Sequence, residues 1–201
     1  MFVQIIQGTV ADRQAARATM DRWLRDLEPG AAGWLGGTYG FTDDGKLVAV
    51  VRFESPQAAQ RNAARPEQQA WWREMEGHFT GPVTFHDCAD TIMLLGGGSD
   101  DAGFVQVIQG RVKDAARMHT LAEQSTGLIS RHRPDVLGAT IAIGEDGFFT
   151  ETIAFTSEAE ARAAEKREVP PEASRLLAEE MSLIDDVRYL DLHQPWFASH
   201  R

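Results

Sequence analysis

The chain has 201 residues, of which 43% are hydrophobic and 25% charged, the balance of a folded protein rather than a disordered one. Thirty acidic residues against twenty basic ones leave a formal charge of −10, so phosphate backbones and anionic lipid are repelled, and neither nucleic acid nor a membrane is an expected partner. Cys88 is the single cysteine, which rules out an internal disulfide, and no Cys/His spacing suits zinc, so no metal is expected. The start, Met1-Phe2-Val3-Gln4, has no basic leader and no apolar run approaches about 18 residues, which predicts a cytoplasmic protein.

In chain order, residues 2–8 read as an apolar strand. Asp12 opens a helical stretch with Ala16, Met20, Trp23, Leu24 and Leu27 at spacings of three and four. Gly30 and Gly33 end it. Strands follow at 34–41 and 46–53, joined through Asp43-Asp44-Gly45, a strong hairpin signal because Gly tolerates the positive φ of tight turns. Ser55-Pro56 predicts the cap of a second helix running on through Trp71, Met75, His78 and Phe79, with Pro66 kinking or restarting it. A last strand covers 83–94.

The same order then repeats. Phe2 to Asp12 recurs as Phe104 to Asp114 with eight of eleven positions identical, at an offset of 102. Asp44-Gly45 falls on Asp146-Gly147, Ser55 on Ser157, and Val83–Asp87 on Val187–Asp191. Each copy reads as β-α-β-β-α-β, a ferredoxin-like unit. The predicted fold class is therefore α+β: two tandem repeats at 1–95 and 104–201, joined by the Gly-rich linker 96–103. Both faces of 136–143 are apolar, which predicts repeats packed sheet to sheet as a pseudo-twofold barrel within one chain. A monomer is expected, with further homodimerisation left open.

Val51-Arg52-Phe53-Glu54-Ser55-Pro56, followed by Arg65-Pro66-Glu67-Gln68-Gln69-Ala70-Trp71-Trp72, resembles the strand-to-helix segment of antibiotic biosynthesis monooxygenase (ABM) domains of the dimeric α+β barrel superfamily. The second copy departs there: Arg167-Glu168-Val169-Pro170-Pro171 precedes no Trp pair, so the site is expected in the first. The resemblance implies a small-molecule ligand, aromatic in character. It implies either cofactor-independent oxidation of that ligand, a non-catalytic binding module, or haem binding or degradation. It also implies that Asn62 with Trp71 or Trp72 holds substrate.

Read from the residues alone, Trp71 is core by its helical face, while Trp72 lies about 100° round the helix and suits a pocket wall. Arg52 has Ala154 as its counterpart, so it is either an anion anchor or an outward ion pair. His78 and His86 could face a cavity as ligands or sit as hydrogen-bonded structural residues. Of the other histidines, His132 is expected in solvent and His193 and His200 in the tail. Gln4, Gln7 and their repeats Gln106 and Gln109 read as buried polar contacts, Cys88 as an inert core thiol, and Glu151 as an edge charge.

Overall fold

Short polar side chains start the helices. In the computed structural model, which describes residues 1–199, the Asp12 carboxylate accepts from the amides of Gln14 and Ala15 and opens α1 (Arg13–Asp26) after strand β1 (Phe2–Thr9). Asp114 does the same for α4 (Ala115–His132) after β5 (Phe104–Val112). Ser55 caps α2 (Pro56–Ala64) and Ser157 caps α5 (Glu158–Glu165). The hairpins are β2 (Trp34–Phe41) with β3 (Lys46–Phe53), and β6 (Val136–Gly144) with β7 (Phe148–Phe155), turning at Gly45 and Gly147 with φ of 85° and 82°.

The helix expected to run through Phe79 is two helices and a turn. The residue before a proline is pushed out of the helical region, and Arg65 accordingly sits at φ −66°, ψ 131°. This ends α2 and starts α3 (Pro66–Glu76), which stops before His78. Phe79 lies beyond it and bridges to Val10. The remaining elements are β4 (Thr84–Leu94), α6 (Pro171–Ser182), β8 (Ile184–Leu192) and β9 (Trp196–Ser199).

Met1–Ala89 with the chain from Trp196 form one compact unit, and Asp90–Pro195 the other, the division falling inside β4. The first unit orders its antiparallel strands β4-β1-β3-β2-β9; the second orders its own β8-β5-β7-β6. The architecture is α+β with tandem ferredoxin-like repeats. In the first unit Phe2, Leu47, Ala49, Phe53 and Tyr39 face Ala16, Met20 and Trp23 of α1 and Trp71 and Met75 of α3. Val3, Ile5, Val48 and Val50, on the alternate face, are as deeply buried. No helix among the described residues is long and apolar enough to cross a membrane.

Candidate functional site

A cavity of about 70 Å³ lies between the sheet and the helices of the first unit. Period-two alternation puts Leu47, Ala49, Val51 and Phe53 of β3 on its floor beside Gln4 and Ile6 of β1. Trp34 and Tyr39 of β2 complete that floor, Met20 and Trp23 come from α1, and α3 supplies Gln68, Trp71, Trp72 and Met75. Asn62 of α2 and Phe79 close the ends.

Hydrogen bonds hold the roof. Trp71 Nε1 donates to the Thr19 carbonyl at 2.9 Å and Trp23 Nε1 to Gln68 Oε1 at 2.5 Å, so α1 and α3 are tied through the indoles that line the cavity. Trp23 meets Trp34 edge-on with centroids 5.3 Å apart, the favourable quadrupole geometry. Arg65 donates Nη1 to both the Leu27 carbonyl and Asn62 Oδ1, each at 3.0 Å, which fixes the Asn62 amide and leaves its NH₂ as the free end. Burial pushes the Tyr39 phenol far above its usual pKa, with only a partial offset from the Arg52 charge, so it remains a neutral hydroxyl. The lining contains no Asp, Glu, Lys, Arg or His.

Asn62, Trp71 and Trp72 therefore meet at one cavity. Trp71 is both core and wall. Trp72 is half-buried and packs against Phe79 and against Phe85 of β4, with centroids at 6.3 and 5.2 Å. Arg52, His78 and His86 do not line it. Arg52 alternates with Val51 and Phe53, so it leaves the opposite face of β3. His86 pairs with Ile5, on the face away from the helices. His78 has Nε2 2.9 Å from Thr19 Oγ1, a structural tie between α1 and the turn after α3.

Other histidines are also engaged: His119 Nε2 lies 2.7 Å from Asp90 Oδ1, and His193 Nδ1 lies 2.7 Å from Glu158 Oε2. His132 is exposed, and His200 lies outside the described residues. Haem does not fit this cavity, which offers no imidazole and a fraction of the volume a macrocycle needs. Among the described residues no group of three or more His, Cys, Asp or Glu is placed to hold a metal ion.

Sequence reasoning missed Trp23, Trp34 and Tyr39 as wall residues. The repeat itself carried a signal: at the 102 offset they fall on Ser125, Val136 and Ile141, so these aromatics occur in one copy alone. Glu151 was read as an edge charge, and the structure corrects this. Its strand β7 lies between β5 and β6, and Glu151 takes the place of the cavity-floor Ala49. Desolvation, then the neighbouring Glu180 of α6, push its carboxyl up to about 8, and burial raises Glu180 as well. Gln4 and Gln106 each donate Nε2 to an aspartate on the adjacent strand, Asp87 and Asp191, at 2.8 Å. Gln7 and Gln109 are buried with Nε2 unpaired among the described residues, and Cys88 is buried.

No family model matches the chain, and no curated protein does. Solved structures do. A proposed monooxygenase from Lactobacillus acidophilus NCFM superposes with a TM-score of 0.76 at 15% identity, over 98% of this chain and 95% of that one. An anthrone oxidase-like protein gives 0.69 at 12% identity, over 98% and 92%. The chain shares its fold with these proteins. A third, an uncharacterised ferredoxin-fold protein from Listeria monocytogenes 4b F2365 related to antibiotic biosynthesis monooxygenases, gives 0.51 at 12% identity, over 96% and 94%. The sequences are distant enough that the likeness speaks for the fold.

Proposed function

We propose that the first unit binds a small, uncharged aromatic molecule in the cavity under α1 and α3. The observation that supports this is the lining itself: four indoles, a phenol held neutral by burial, three side-chain amides (Gln4, Asn62 and Gln68), and no ionised group. Concave, mainly apolar walls with a few fixed polar groups are the usual form of a small-molecule site. A cavity of about 70 Å³ takes the end of such a molecule, with the remainder lying across half-buried Trp72 and Gln68.

The test is a thermal-shift screen of neutral single-ring and polycyclic phenols and ketones, with haem titrated separately by visible absorbance. Stabilisation by a neutral aromatic, lost when Ala49→Leu fills the floor, supports the reading. Silence across the screen, or a sharp Soret band with haem as the only ligand, overturns it.

A second reading is cofactor-independent oxidation of the bound molecule, which the likeness to an anthrone oxidase-like protein favours. In that reaction an activated ring methylene and dioxygen give a ring carbonyl and water, one oxygen atom staying in the product. The substrate supplies the electrons, and the protein orients it and excludes water. Since no base lines the cavity, the substrate proton leaves at the rim to solvent. Dioxygen uptake without added metal or flavin, with one labelled oxygen atom in the product, is the expected result; unchanged uptake over buffer overturns this second reading and leaves binding standing.

A further inference from the structure

Of the indoles that wall the cavity, Trp23 and Trp71 have spent their N–H groups on Gln68 and on the Thr19 carbonyl. Trp34 has not. It is 2% exposed, and its Nε1 has no hydrogen-bond partner among the described residues. Buried donors in native proteins are nearly always paired, and one left unpaired costs about what a lost hydrogen bond costs. Trp34 stands where β2 slips register against β3, opposite Phe53 and just before Gly36, whose φ is 134°. The second repeat has Val136 here, with no donor, and no aromatic wall either. The unpaired N–H thus belongs to the unit that has the cavity.

We propose that the Trp34 indole N–H reads the ligand: the cavity accepts an uncharged molecule whose entering end carries a carbonyl oxygen, and it rejects carboxylates. This rests on the reading that the cavity binds a small aromatic molecule, and it adds which end enters and what holds it. The enclosed space, about 70 Å³, is small beside a ring system, so a carbonyl-bearing end group enters while a ring stays at Trp72. A carboxylate would exchange full hydration for neutral donors alone, the Trp34 indole and the Asn62 amide, and no lining cation compensates it. A carbonyl gives up far less hydration and gains the bond that Trp34 lacks.

The experiment uses the whole chain labelled with ¹⁵N-tryptophan and three probes of similar outline: acetophenone, α-methylstyrene (a methylene in place of the carbonyl oxygen) and benzoate. The expected result is that acetophenone binds about two- to tenfold tighter than α-methylstyrene, the range of one neutral hydrogen bond. The Trp34 indole proton moves downfield at saturation with the ketone and not with the hydrocarbon, and benzoate does not bind. Trp34→Phe erases the preference, so that within this variant the ketone and the hydrocarbon bind equally, whatever affinity they share. If that variant does not fold, the wild-type preference and the indole shift decide alone.

Equal affinity for ketone and hydrocarbon, or an unmoved Trp34 signal at ketone saturation, overturns the proposal and leaves the cavity reading intact, with water then serving the indole. Failure of both neutral probes to bind overturns the cavity reading and this proposal with it.

Discussion

The two units share an element order and differ in what fills the space between helices and sheet. The first has Trp23, Trp34, Tyr39, Ala49 and Met75 around a cavity. At the matching places the second has Ser125, Val136, Ile141, Glu151 and, on α6, Glu180. One repeat devoted its interior to aromatic walls; the other packs Ile108, Ile141 and Phe149 there and sets two half-buried carboxyls, Glu151 and Glu180, beside one another. Duplication preserves what the backbone needs and releases what the interior does. The caps Asp12 and Asp114, the hairpin glycines and the Gln–Asp cross-strand pairs are the same in both.

The sharpest way to break the comparison is at β9, which the first unit has and the second lacks. Trp196 stacks on Tyr39 with centroids 5.7 Å apart, lies under Arg17, and is 6% exposed. Trp196→Ala is expected to cost about 3–5 kcal/mol of stability. Hydrogen exchange should show the loss in β2 and β3 while β5 and β7 keep their protection; equal loss in both units would mean that the tail serves the whole chain.

A smaller effect is expected at Gly37, where a Cβ would come within 2.1 Å of the Tyr39 hydroxyl. The second repeat has solved the same crowding differently, with Ala139 and Ile141. Gly37→Ala should destabilise by about 1–3 kcal/mol, and the same change in a Tyr39→Ile background should cost much less. A double-mutant cycle on denaturant midpoints measures this, and additivity within error would refute the contact.

Glu151 gives the second unit a pH dependence that Ala49, its counterpart in the first, cannot supply. Its carboxyl titrates at about 8 when folded and near 4.5 when unfolded. Below about 4.5 both states hold the proton, and between there and about 8 only the folded state does. Stability from this group therefore falls as pH rises through that window and is flat above it. Glu151→Gln should flatten the slope and stabilise the protein at pH 8.5 by on the order of 1–3 kcal/mol relative to its effect at pH 5. A variant whose stability still falls in parallel with the wild type across pH 5–8 would place the titration elsewhere.

The smallest change is expected where the units agree. Gln4→Leu and Gln106→Leu each remove one amide-to-carboxylate hydrogen bond of 2.8 Å, and each should cost about 1 kcal/mol. Unequal costs would show that this pair, though repeated, serves only one unit.

The fold was largely legible in the residues. Strands at 34–41 and 46–53, the caps at Asp12, Asp114, Ser55 and Ser157, and the duplication all follow from local rules, because capping oxygens, hairpin glycines and period-two alternation act over a few residues. Three of the six candidate residues picked from the sequence, Asn62, Trp71 and Trp72, line the cavity, and they came from a strand-to-helix segment with a known likeness. Arg52 came from the same segment and His78 and His86 from the histidines weighed as ligands, and their chemistry could not say which sheet face or which side of a turn they occupy.

The sequence by itself determined the repeats, their element order, the starts of α1, α2, α4 and α5 and the concentration of aromatics in one copy. Tertiary structure decided which of those aromatics meet, that the tail strand β9 joins the first unit, and that half-buried Glu151 sits beside Glu180. The physical reason is range. Caps and turns are settled within four residues, whereas a cavity wall is assembled from side chains on six separate elements, and the fate of a single indole N–H depends on which atoms those elements bring within about 3 Å.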